Sequence, residues 1–423
     1  MLRALAKQRI PVAGNHRATP LRPLRSVALF AGAASALALT GARVDAESSG
    51  SEPDQRKPPF LPLSQLDYWG YMDRPDLFAS VSLSKDPVER MLLVLRWFLS
   101  KDTKFSGPHA PLTPALPPLP GEFFRWRVHA DTALLPLFAT ASKAPARVAD
   151  EPAIVHCIAE QLTRTPSIAA FLYTTRAGGG ITARGTDHIQ PGFNGTLTLA
   201  PGAHNHGVYI HLARYAEEYN ASHPTAAVAG WITSRGGPYL TVTGETVVEC
   251  EETGLRCEIR YVEEPFWGAP RFAVEGRVVR LSDSNRPDEM VVATVWGAWN
   301  GKMYARTLDE RGGTVKEGLL LDLQESQVAL KEVPPFDLQA RNESRRVWRD
   351  VTKCLRVGDF PEALRLKRVV EEDVARRSGW TTGESAFFDF RVPVMSQFKD
   401  VKDPLLRKEL GKPYLKDGIN VEF

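Results

Sequence analysis

Two charged residues at helical spacing are the first candidates for chemistry in this chain. Lys367 and Glu371 stand four residues apart, in a segment that also contains Phe360, Leu364 and Val374. At about 100° per residue these five positions fall on one narrow helical face, which predicts that both charged side chains lie inside an apolar stripe. Because a buried charge needs a partner, the pattern indicates a buried ion pair, a polar group directed into a cavity, or long side chains that reach solvent from the stripe's edge.

Histidines are the second group of candidates. His204 and His206 form an H-x-H motif, and His211 and His223 follow. On a strand, such a motif places both rings on one face, as a metal site requires. No acidic ligand follows at a convincing spacing, so solvated histidines are favoured and we predict no metal and no cofactor.

Motifs for enzyme chemistry are otherwise missing from the sequence. The Gly178-Gly179-Gly180 run lacks the Gly-Lys-Ser/Thr sequel of a P-loop, and no G-x-S-x-G motif is present. With no credible nucleophile set, we predict that the protein is not an enzyme. A metal-dependent enzyme is the less favoured alternative.

Composition and charge exclude some classes of protein. The chain has 423 residues, of which 43% are hydrophobic and 24% charged, and a net charge of +3. This composition is typical of a globular protein, and the charge is too small to indicate a nucleic-acid partner. The four cysteines do not form a disulfide framework, so free thiols are predicted, although Cys250 and Cys257 are placed to face each other across a hairpin.

The beginning of the chain differs from the rest. Residues 1–46 carry six Arg or Lys residues before Ser26 and no acidic residue before Asp45, and residues 27–39 are apolar and rich in Ala. This pattern favours a mitochondrial presequence or a weak membrane anchor over a signal peptide, with a wrongly assigned chain start as a further alternative. Residues 47–57 are predicted to be a linker, and residues 58–423 the main domain.

Helix signals occur at both ends of the main domain. Asp86 is a predicted N-cap, followed by Pro87 and by Glu89 in the position of a capping box, and this helix is expected to end near Ser100. Towards the C-terminus, Ser344 and Asp359 are predicted to cap two further helices. The last forty residues are polar and irregular, and no element is predicted there.

The sequence pattern in the middle of the domain predicts β-strands. Residues 106–120 are rich in proline and predict a rigid extended loop, which leads into a strand at residues 121–128. Residues 150–310 alternate apolar and polar side chains between short turn signals. The predicted fold is therefore mainly β, as a meander or a barrel.

Several motifs occur in a fixed order along the chain. They are Pro58-Pro59-Phe60, Asp86 to Leu92 followed by Trp97-Phe98-Leu99-Ser100, Pro111 to Leu116 with Gly121-Glu122, Trp296-Gly297-Ala298-Trp299-Asn300, and Glu343-Ser344-Arg345 with Gly358-Asp359-Phe360. Over roughly residues 58–380 this order resembles the oxysterol-binding-protein-related lipid-transfer family, in its short fungal form. The resemblance implies a mainly β (α+β) fold, namely a large antiparallel, nearly closed β-barrel around a lipid tunnel, with an N-terminal helix and C-terminal helices.

The fingerprint motif of that family is altered in this chain. Where the family has E-Q-V-S-H-H-P-P, residues 160–167 read E-Q-L-T-R-T-P-S. Arg164 and Thr165 therefore replace two histidines that contact the 4-phosphate of phosphatidylinositol 4-phosphate. An arginine and a hydroxyl can still bind a phosphate. The alternative is that Arg164 points to solvent and the headgroup site is lost.

The resemblance also assigns a headgroup role to other residues. The family has a Lys-x-x-x-Glu-x-x-x-Arg helical face, which Lys367 and Glu371 match, whereas Ala375 stands in place of the arginine and Arg376 lies one residue further on. Arg127 falls at the position of a strand lysine that binds the lipid phosphate. The implied headgroup set is Arg127, Arg164, Thr165, Lys367, Glu371 and Arg376.

The tunnel and its cargo follow from the same resemblance. Leu116 is a tunnel candidate, and so is Asp187, which stands where the family has a tunnel-lining asparagine. The implied function is extraction and transfer of one sterol or phosphoinositide by a monomer that works in the cytoplasm, peripherally at membranes. The alternatives are a diverged carrier or sensor of another lipid, and a mitochondrial or membrane-anchored protein held by residues 1–46.

Overall fold

Alternating side chains in the first strand show how the sheet is built. In the computed structural model, Phe124, Trp126 and Val128 lie on one face of this strand and are almost fully buried, whereas Arg125 and Arg127 lie on the other face and are half-buried. The strand therefore has the period of two that its sequence predicts. The structure describes residues 64–68, 70–105, 116–130, 137–138, 153–193, 196–229, 239–264, 271–281, 290–378, 385–389, 412–417 and 419.

The described strands follow one another with short connections. They are β1 Phe123–Ala130, β2 Ala153–Arg164, β3 Ser167–Thr175, β4 Ile181–Phe193, β5 Leu197–Pro201, β6 Val208–Leu212, β7 Glu217–Ala221, β8 Thr225–Ala229, β9 Tyr239–Cys250, β10 Leu255–Tyr261, β11 Ala273–Arg280, β12 Met290–Ala298, β13 Lys302–Leu308, β14 Thr314–Asp322, β15 Phe388–Asp389 and β16 Tyr414–Leu415. The first fourteen form one antiparallel sheet. The predicted mainly β fold is confirmed.

Near the middle of the sheet, β4 and β9 each pair with two different strands along one edge. The first half of β4 pairs with β6 and its second half with β5, while β9 receives β7 at one end and β8 at the other. After β14 the chain returns to β1, where the backbone N–H groups of Arg127 and Glu332 each donate to the other's carbonyl at 2.9 Å. This bridge joins β1, at one end of the strand order, to the segment that follows β14, at the other end, so the sheet is nearly closed, as predicted.

The described helices lie before and after the sheet in sequence. They are α1 Gln65–Tyr68, α2 Pro75–Ala79, α3 Pro87–Leu99, α4 Ser344–Val347, α5 Arg349–Arg356 and α6 Phe360–Ser378, with 3₁₀ helices at Ser100–Phe105, Ala177–Gly179 and Phe336–Leu338. Eleven of the 13 residues of α3 are buried, among them Arg90, whose guanidinium donates to the Glu217 carboxylate at 2.9 Å. Helix α3 is therefore part of the main core, which the sheet surrounds.

The start of α3 confirms one prediction and corrects another. The Asp86 carboxylate accepts a hydrogen bond from the Val88 N–H at 2.8 Å, so Asp86 is the N-cap. Glu89 does not complete a capping box. Its carboxylate accepts from the Ser84 hydroxyl and pairs with Lys316 on β14, while the Asp86 N–H donates to Ser84.

A short ribbon covers part of the outer sheet surface. Strands β15 and β16 pair with each other, and Phe388 packs on the outward-facing residues Ile158 and Leu172 of β2 and β3. The sequence pattern did not predict this ribbon, because its two strands are only two residues long and lie 24 residues apart. The predicted loop 106–120 is described only from Leu116 onwards, and residues 1–57 lie outside the described residues.

All four cysteines are free thiols, as predicted. Cys250 and Cys257 do not face each other, because Cys250 pairs with Leu255 across the β9–β10 hairpin and Cys257 pairs with Val248. No helix within the described ranges has both the length and the apolar character needed to span a membrane.

Candidate functional site

Three of the predicted headgroup residues meet at one carboxylate. The Oε1 atom of Glu371 lies 2.7 Å from the Lys367 ammonium nitrogen and 3.4 Å from a guanidinium nitrogen of Arg164. Arg164 comes from the end of β2 and the other two from α6, 200 residues later in the chain. The structure thus joins the altered fingerprint to the helical Lys-x-x-x-Glu pair, and we call this group the Glu371 cluster.

A tight hairpin positions Arg164. Strands β2 and β3 are joined by a two-residue turn, Thr165-Pro166, in which Thr165 is exposed and follows Arg164 directly. The Gln161 side chain donates to the Thr163 carbonyl at 2.6 Å and the Thr163 hydroxyl to the Pro166 carbonyl at 2.6 Å. These side-chain bonds fix the turn locally, so Arg164 leaves the sheet in a defined direction.

Packing of α6 positions Lys367 and Glu371, but not in the predicted way. The stripe that packs on the neighbouring helices consists of Ala363, Leu366, Val370 and Val374. The predicted stripe through Phe360 and Leu364 is wrong, since these two side chains are 53% and 50% exposed. Lys367 and Glu371 lie at the edge of the true stripe, where their side chains are 27% and 17% exposed and accessible to a ligand.

Two other predicted headgroup residues make their observed contacts elsewhere. Arg127 on β1 pairs with Glu332 at 2.8 Å, on the outward face of the sheet next to the bridge that closes it. Arg376 is exposed and donates to the carbonyl of Glu372 on its own helix at 3.3 Å. Neither contact links these arginines to the Glu371 cluster, and their headgroup roles stay predictions.

Two buried carboxylates hold together the elements around the Glu371 cluster, which we call its frame. The sequence did not mark either of them as a site residue. Glu122 accepts hydrogen bonds from Ser64, Ser344, the Trp348 indole and the Leu119 N–H, at 2.5 to 3.0 Å. Burial raises the pKa of Glu122, while these donors lower it. Glu122 thereby ties the start of β1 to helices α1 and α4.

Glu160, the first residue of the fingerprint, is the second of these carboxylates, and it connects β2 to the segment before β15. Its carboxylate accepts from the Ser385 hydroxyl and from the N–H of Ala386 at 2.8 Å, in the segment that leads into β15. A glutamate before a strand end is a weak signal by itself. The fingerprint resemblance was the only sequence feature that marked it, and its partners are 225 residues away.

The tunnel candidate Asp187 belongs to a polar chain inside the sheet. Its Oδ1 atom lies 2.7 Å from the Tyr71 hydroxyl oxygen, which also lies 3.0 Å from Nε2 of His223. Nδ1 of His223 lies 3.1 Å from Oδ1 of Asn205. Burial raises the pKa of Asp187 to about 6, and burial with the nearby Lys101 charge lowers the pKa of His223 to about 3.

Aromatic rings and one ion pair surround this chain. Tyr71 packs against Phe98, Phe171 and Tyr173, with ring centroids 5.0 to 6.4 Å apart. Lys101 pairs with Asp102 at 2.8 Å and lies over the Phe98 ring. Asp187, His223 and Lys101 are desolvated, but each side chain keeps some accessible surface.

Leu116, the other tunnel candidate, lies in a different cluster. It is buried with Leu119 against Trp348, Val351 and Ala363 of the C-terminal helices, and not in the core cluster that contains Phe98. Its N-terminal neighbours 106–115 are outside the described residues, so the predicted tunnel role stays a prediction.

The histidine motif does not lie on a strand. Residues 202–207 form the connection between β5 and β6, so His204 and His206 do not have the one-faced arrangement that a strand would give them. The His204 N–H donates to Nδ1 of His188, whereas His223 belongs to the interior chain. Within the described ranges, no three His, Cys, Asp or Glu residues form a group that could hold a metal ion.

A family model and individual relatives, compared with this chain separately, agree with one another. The family model described as "Oxysterol-binding protein" matches residues 61–359. Oxysterol-binding protein-like protein 1 of Schizosaccharomyces pombe is 28% identical over an alignment that covers 86% of each chain. The human oxysterol-binding protein-related protein 9 is 27% identical over 72% of this chain, which spans only 39% of that longer protein.

Solved structures share the fold at low sequence identity. The ORD of Osh3 from Saccharomyces cerevisiae, in complex with PI(4)P, superposes with a TM-score of 0.56 at 16% identity over 89% of both chains. The Osh1 ORD domain in complex with cholesterol gives a TM-score of 0.52 at 16% identity over 85% of both chains. With the family model matched across most of the described sheet, the sequence and the fold lead to one assignment: this chain belongs to the oxysterol-binding protein family.

Proposed function

We propose that this chain extracts a single lipid from a membrane, encloses its apolar part within the sheet and releases it at a second membrane. The observation that carries the proposal is the Glu371 cluster, in which two cations from distant parts of the chain share one carboxylate. Structures of this fold bind PI(4)P and cholesterol. A lipid carrier that acts peripherally at membrane surfaces fits these features and requires no chemical step.

The charges of the cluster suit a phosphorylated headgroup. Arg164 and Lys367 supply two positive charges against the single negative charge of Glu371, which leaves a net positive site. A phosphate monoester carries about −1.5 to −2 charges near neutral pH and accepts several hydrogen bonds. We infer that Glu371 orients the two donors until a phosphate engages them, because charge-assisted bonds to a phosphate are among the stronger hydrogen bonds in proteins.

The nearly closed sheet suits the apolar part of the cargo. A sheet without free edges leaves its inner side chains to an apolar ligand rather than to water. Each CH₂ group removed from water contributes about 0.8 kcal/mol, so a lipid chain or sterol body is held strongly by burial alone. The headgroup residues then decide which lipid enters.

A second candidate function is the transport of a different lipid, without phosphoinositide binding. It is favoured by the replacement of both fingerprint histidines and by the existing contact of Arg164 with Glu371, which a phosphate would have to compete for. In that case the interior polar chain, and not the Glu371 cluster, would recognise the cargo.

The test is extraction of lipid from liposomes by residues 47–423, with and without phosphatidylinositol 4-phosphate in the membrane. We expect extraction of that lipid, and its loss in Lys367→Ala. The matched control is Lys353→Ala, because Lys353 is also a helical lysine with a nearby acidic partner, Asp350, but lies on α5. Equal extraction by both variants would reject the role of Lys367 in headgroup binding. No extraction of that lipid by the unaltered protein would reject phosphoinositide recognition and favour the second candidate.

A further inference from the structure

The pairing of β4 is interrupted where its edge changes partner. Its first five residues pair with β6 and its last five with β5, so residues 186–188 between them have no partner among the described strands on that edge. The β5–β6 connection, residues 202–207, lies against them instead. The Gly202 N–H donates to the His188 carbonyl at 2.8 Å. This part of the sheet therefore depends on a loop and not on strand pairing.

Two further hydrogen bonds join His204 of the connection to β4. The Thr186 hydroxyl donates to the His204 carbonyl at 2.5 Å, and the His204 N–H donates to Nδ1 of His188 at 3.1 Å. The two imidazole rings also pack together, with ring centroids 5.2 Å apart. His188 is only 8% exposed, so the contact is largely shielded from water. Of the three hydrogen bonds that attach the connection to β4, this one has a titratable acceptor.

The protonation state of His188 follows from a backbone group. The His204 N–H is always a donor, so Nδ1 of His188 must present a lone pair, and the hydrogen of the neutral ring lies on Nε2. A protonated imidazole carries hydrogens on both nitrogens, which would place two N–H groups face to face. Protonation of His188 therefore removes this hydrogen bond and puts a repulsive contact in its place.

The surroundings of His188 favour the neutral ring while the connection is in place. Burial and the nearby His204 lower the pKa of His188 from its ordinary value of about 6.5, and burial also lowers the pKa of His204. The cross-strand partner on β3 is Ile168, which does not titrate. The remaining titratable side chains of these segments are His206 in the connection and Asp187, whose carboxylate accepts from a tyrosine inside the sheet.

Gly202 gives the His188 ring its place. A Cβ atom at residue 202 would lie 2.4 Å from two atoms of this ring, which is far inside the normal contact distance. A side chain at this position would have to displace either the ring or the connection. The close approach of the backbone to the ring therefore requires a glycine.

We propose that the β5–β6 connection is an acid-sensitive closure of the sheet, which neutral His188 holds on β4 and which protonation of His188 releases. On release the ring returns to water, where its charge is solvated. The same connection contains Asn205, whose Oδ1 atom lies 3.1 Å from Nδ1 of His223 inside the sheet. Release therefore also separates the interior polar chain from the connection that covers it. This inference does not depend on the proposed lipid function.

The direction of the pH dependence follows from the two forms of the connection. In the closed form the pKa of His188 is lowered, whereas in the open form the ring has its ordinary pKa of about 6.5. The open form therefore binds a proton more readily, and acid favours it. The open population should be constant above about pH 6.5 and should rise below it by up to about tenfold per pH unit, until the closed form titrates as well.

Hydrogen exchange of the full chain, followed by mass spectrometry between about pH 5 and 8, tests the proposal. Protection of residues 202–207, corrected for the intrinsic pH dependence of exchange, should be constant above about pH 6.5 and fall below it. The β9–β10 hairpin is the internal reference and should keep its protection. Protection of the connection that does not fall, or that falls together with the reference, would overturn the proposal.

His188→Asn separates the charge of the ring from its hydrogen bond. The oxygen of the new carboxamide can accept from the His204 N–H but does not titrate, so the pH dependence should disappear. His211→Asn is the matched control on β6 and should behave like the unaltered protein. Retention of the pH dependence in His188→Asn would assign it to another group and reject the proposal.

Gly202→Ala gives a test at a single, neutral pH. Because the added Cβ displaces the His188 ring, protection of the connection should fall by about three- to tenfold, the worth of one hydrogen bond. Gly301→Ala is the control, since its Cβ would meet no atom closer than 3.7 Å. Unchanged protection in Gly202→Ala would overturn the proposal, even if His188→Asn fails to fold.

Discussion

Replacing Glu122 tests whether the frame of the Glu371 cluster depends on one buried carboxylate. Glu122 is 2% exposed and accepts hydrogen bonds from Ser64, Ser344, Trp348 and the backbone of Leu119. In Glu122→Ala four buried donors lose their acceptor, and each unsatisfied group costs about 1–3 kcal/mol. Because the two hydroxyls can turn to other acceptors, we expect a loss of about 4 kcal/mol.

The assay is urea unfolding followed by circular dichroism, with Glu310→Ala as the control. Glu310 is exposed in the β13–β14 turn, so its removal should change stability by less than about 0.5 kcal/mol. Glu122→Gln keeps one acceptor and should lose about half as much as Glu122→Ala. A loss below about 1 kcal/mol in Glu122→Ala would show that water or other groups satisfy the four donors, and that Glu122 does not hold the frame.

Two further predictions concern the helices. Val351→Ala should destabilise the protein by about 1–3 kcal/mol, because this side chain is 2% exposed under α6. Leu364→Ala, at 50% exposure, should cost less than about 1 kcal/mol, and equal losses in chemical denaturation would contradict the observed stripe. Arg90→Ala should cost about 3–5 kcal/mol, because it leaves the Glu217 carboxylate buried without its cation. A thermal melt that shows recovery in Arg90→Ala with Glu217→Ala would support this cause, and no recovery would refute it.

Local signals explain why parts of the fold were predictable. Asp86 and Pro87 mark the start of α3 because capping depends on residues within one turn, and Gly358 ends α5 with a left-handed φ of 76°. The alternation from Phe123 to Ala130 depends on neighbours two residues apart. Features of this kind are determined within a few residues, so a single sequence contains them.

Long-range partners explain what could not be predicted. The carboxylate partner of Arg127 is Glu332, and the partner of Glu160 is Ser385, both more than 200 residues away. The predicted stripe on α6 was wrong because Phe360 and Leu364 are apolar but about half exposed. Only the tertiary fold decides which face of an amphipathic helix is covered.

The enclosure of α3 constrains how this chain folds while it is being synthesised. Strand β14, which contacts α3 through the Lys316–Glu89 ion pair, ends about 220 residues after α3 does. At roughly 5–20 residues per second, the helix waits about 10–45 s for that strand. During this interval the apolar surface around Trp97 and Phe98 lacks its final cover. A nascent chain of this design therefore depends on chaperones at the ribosome more than a protein whose core forms from neighbouring segments.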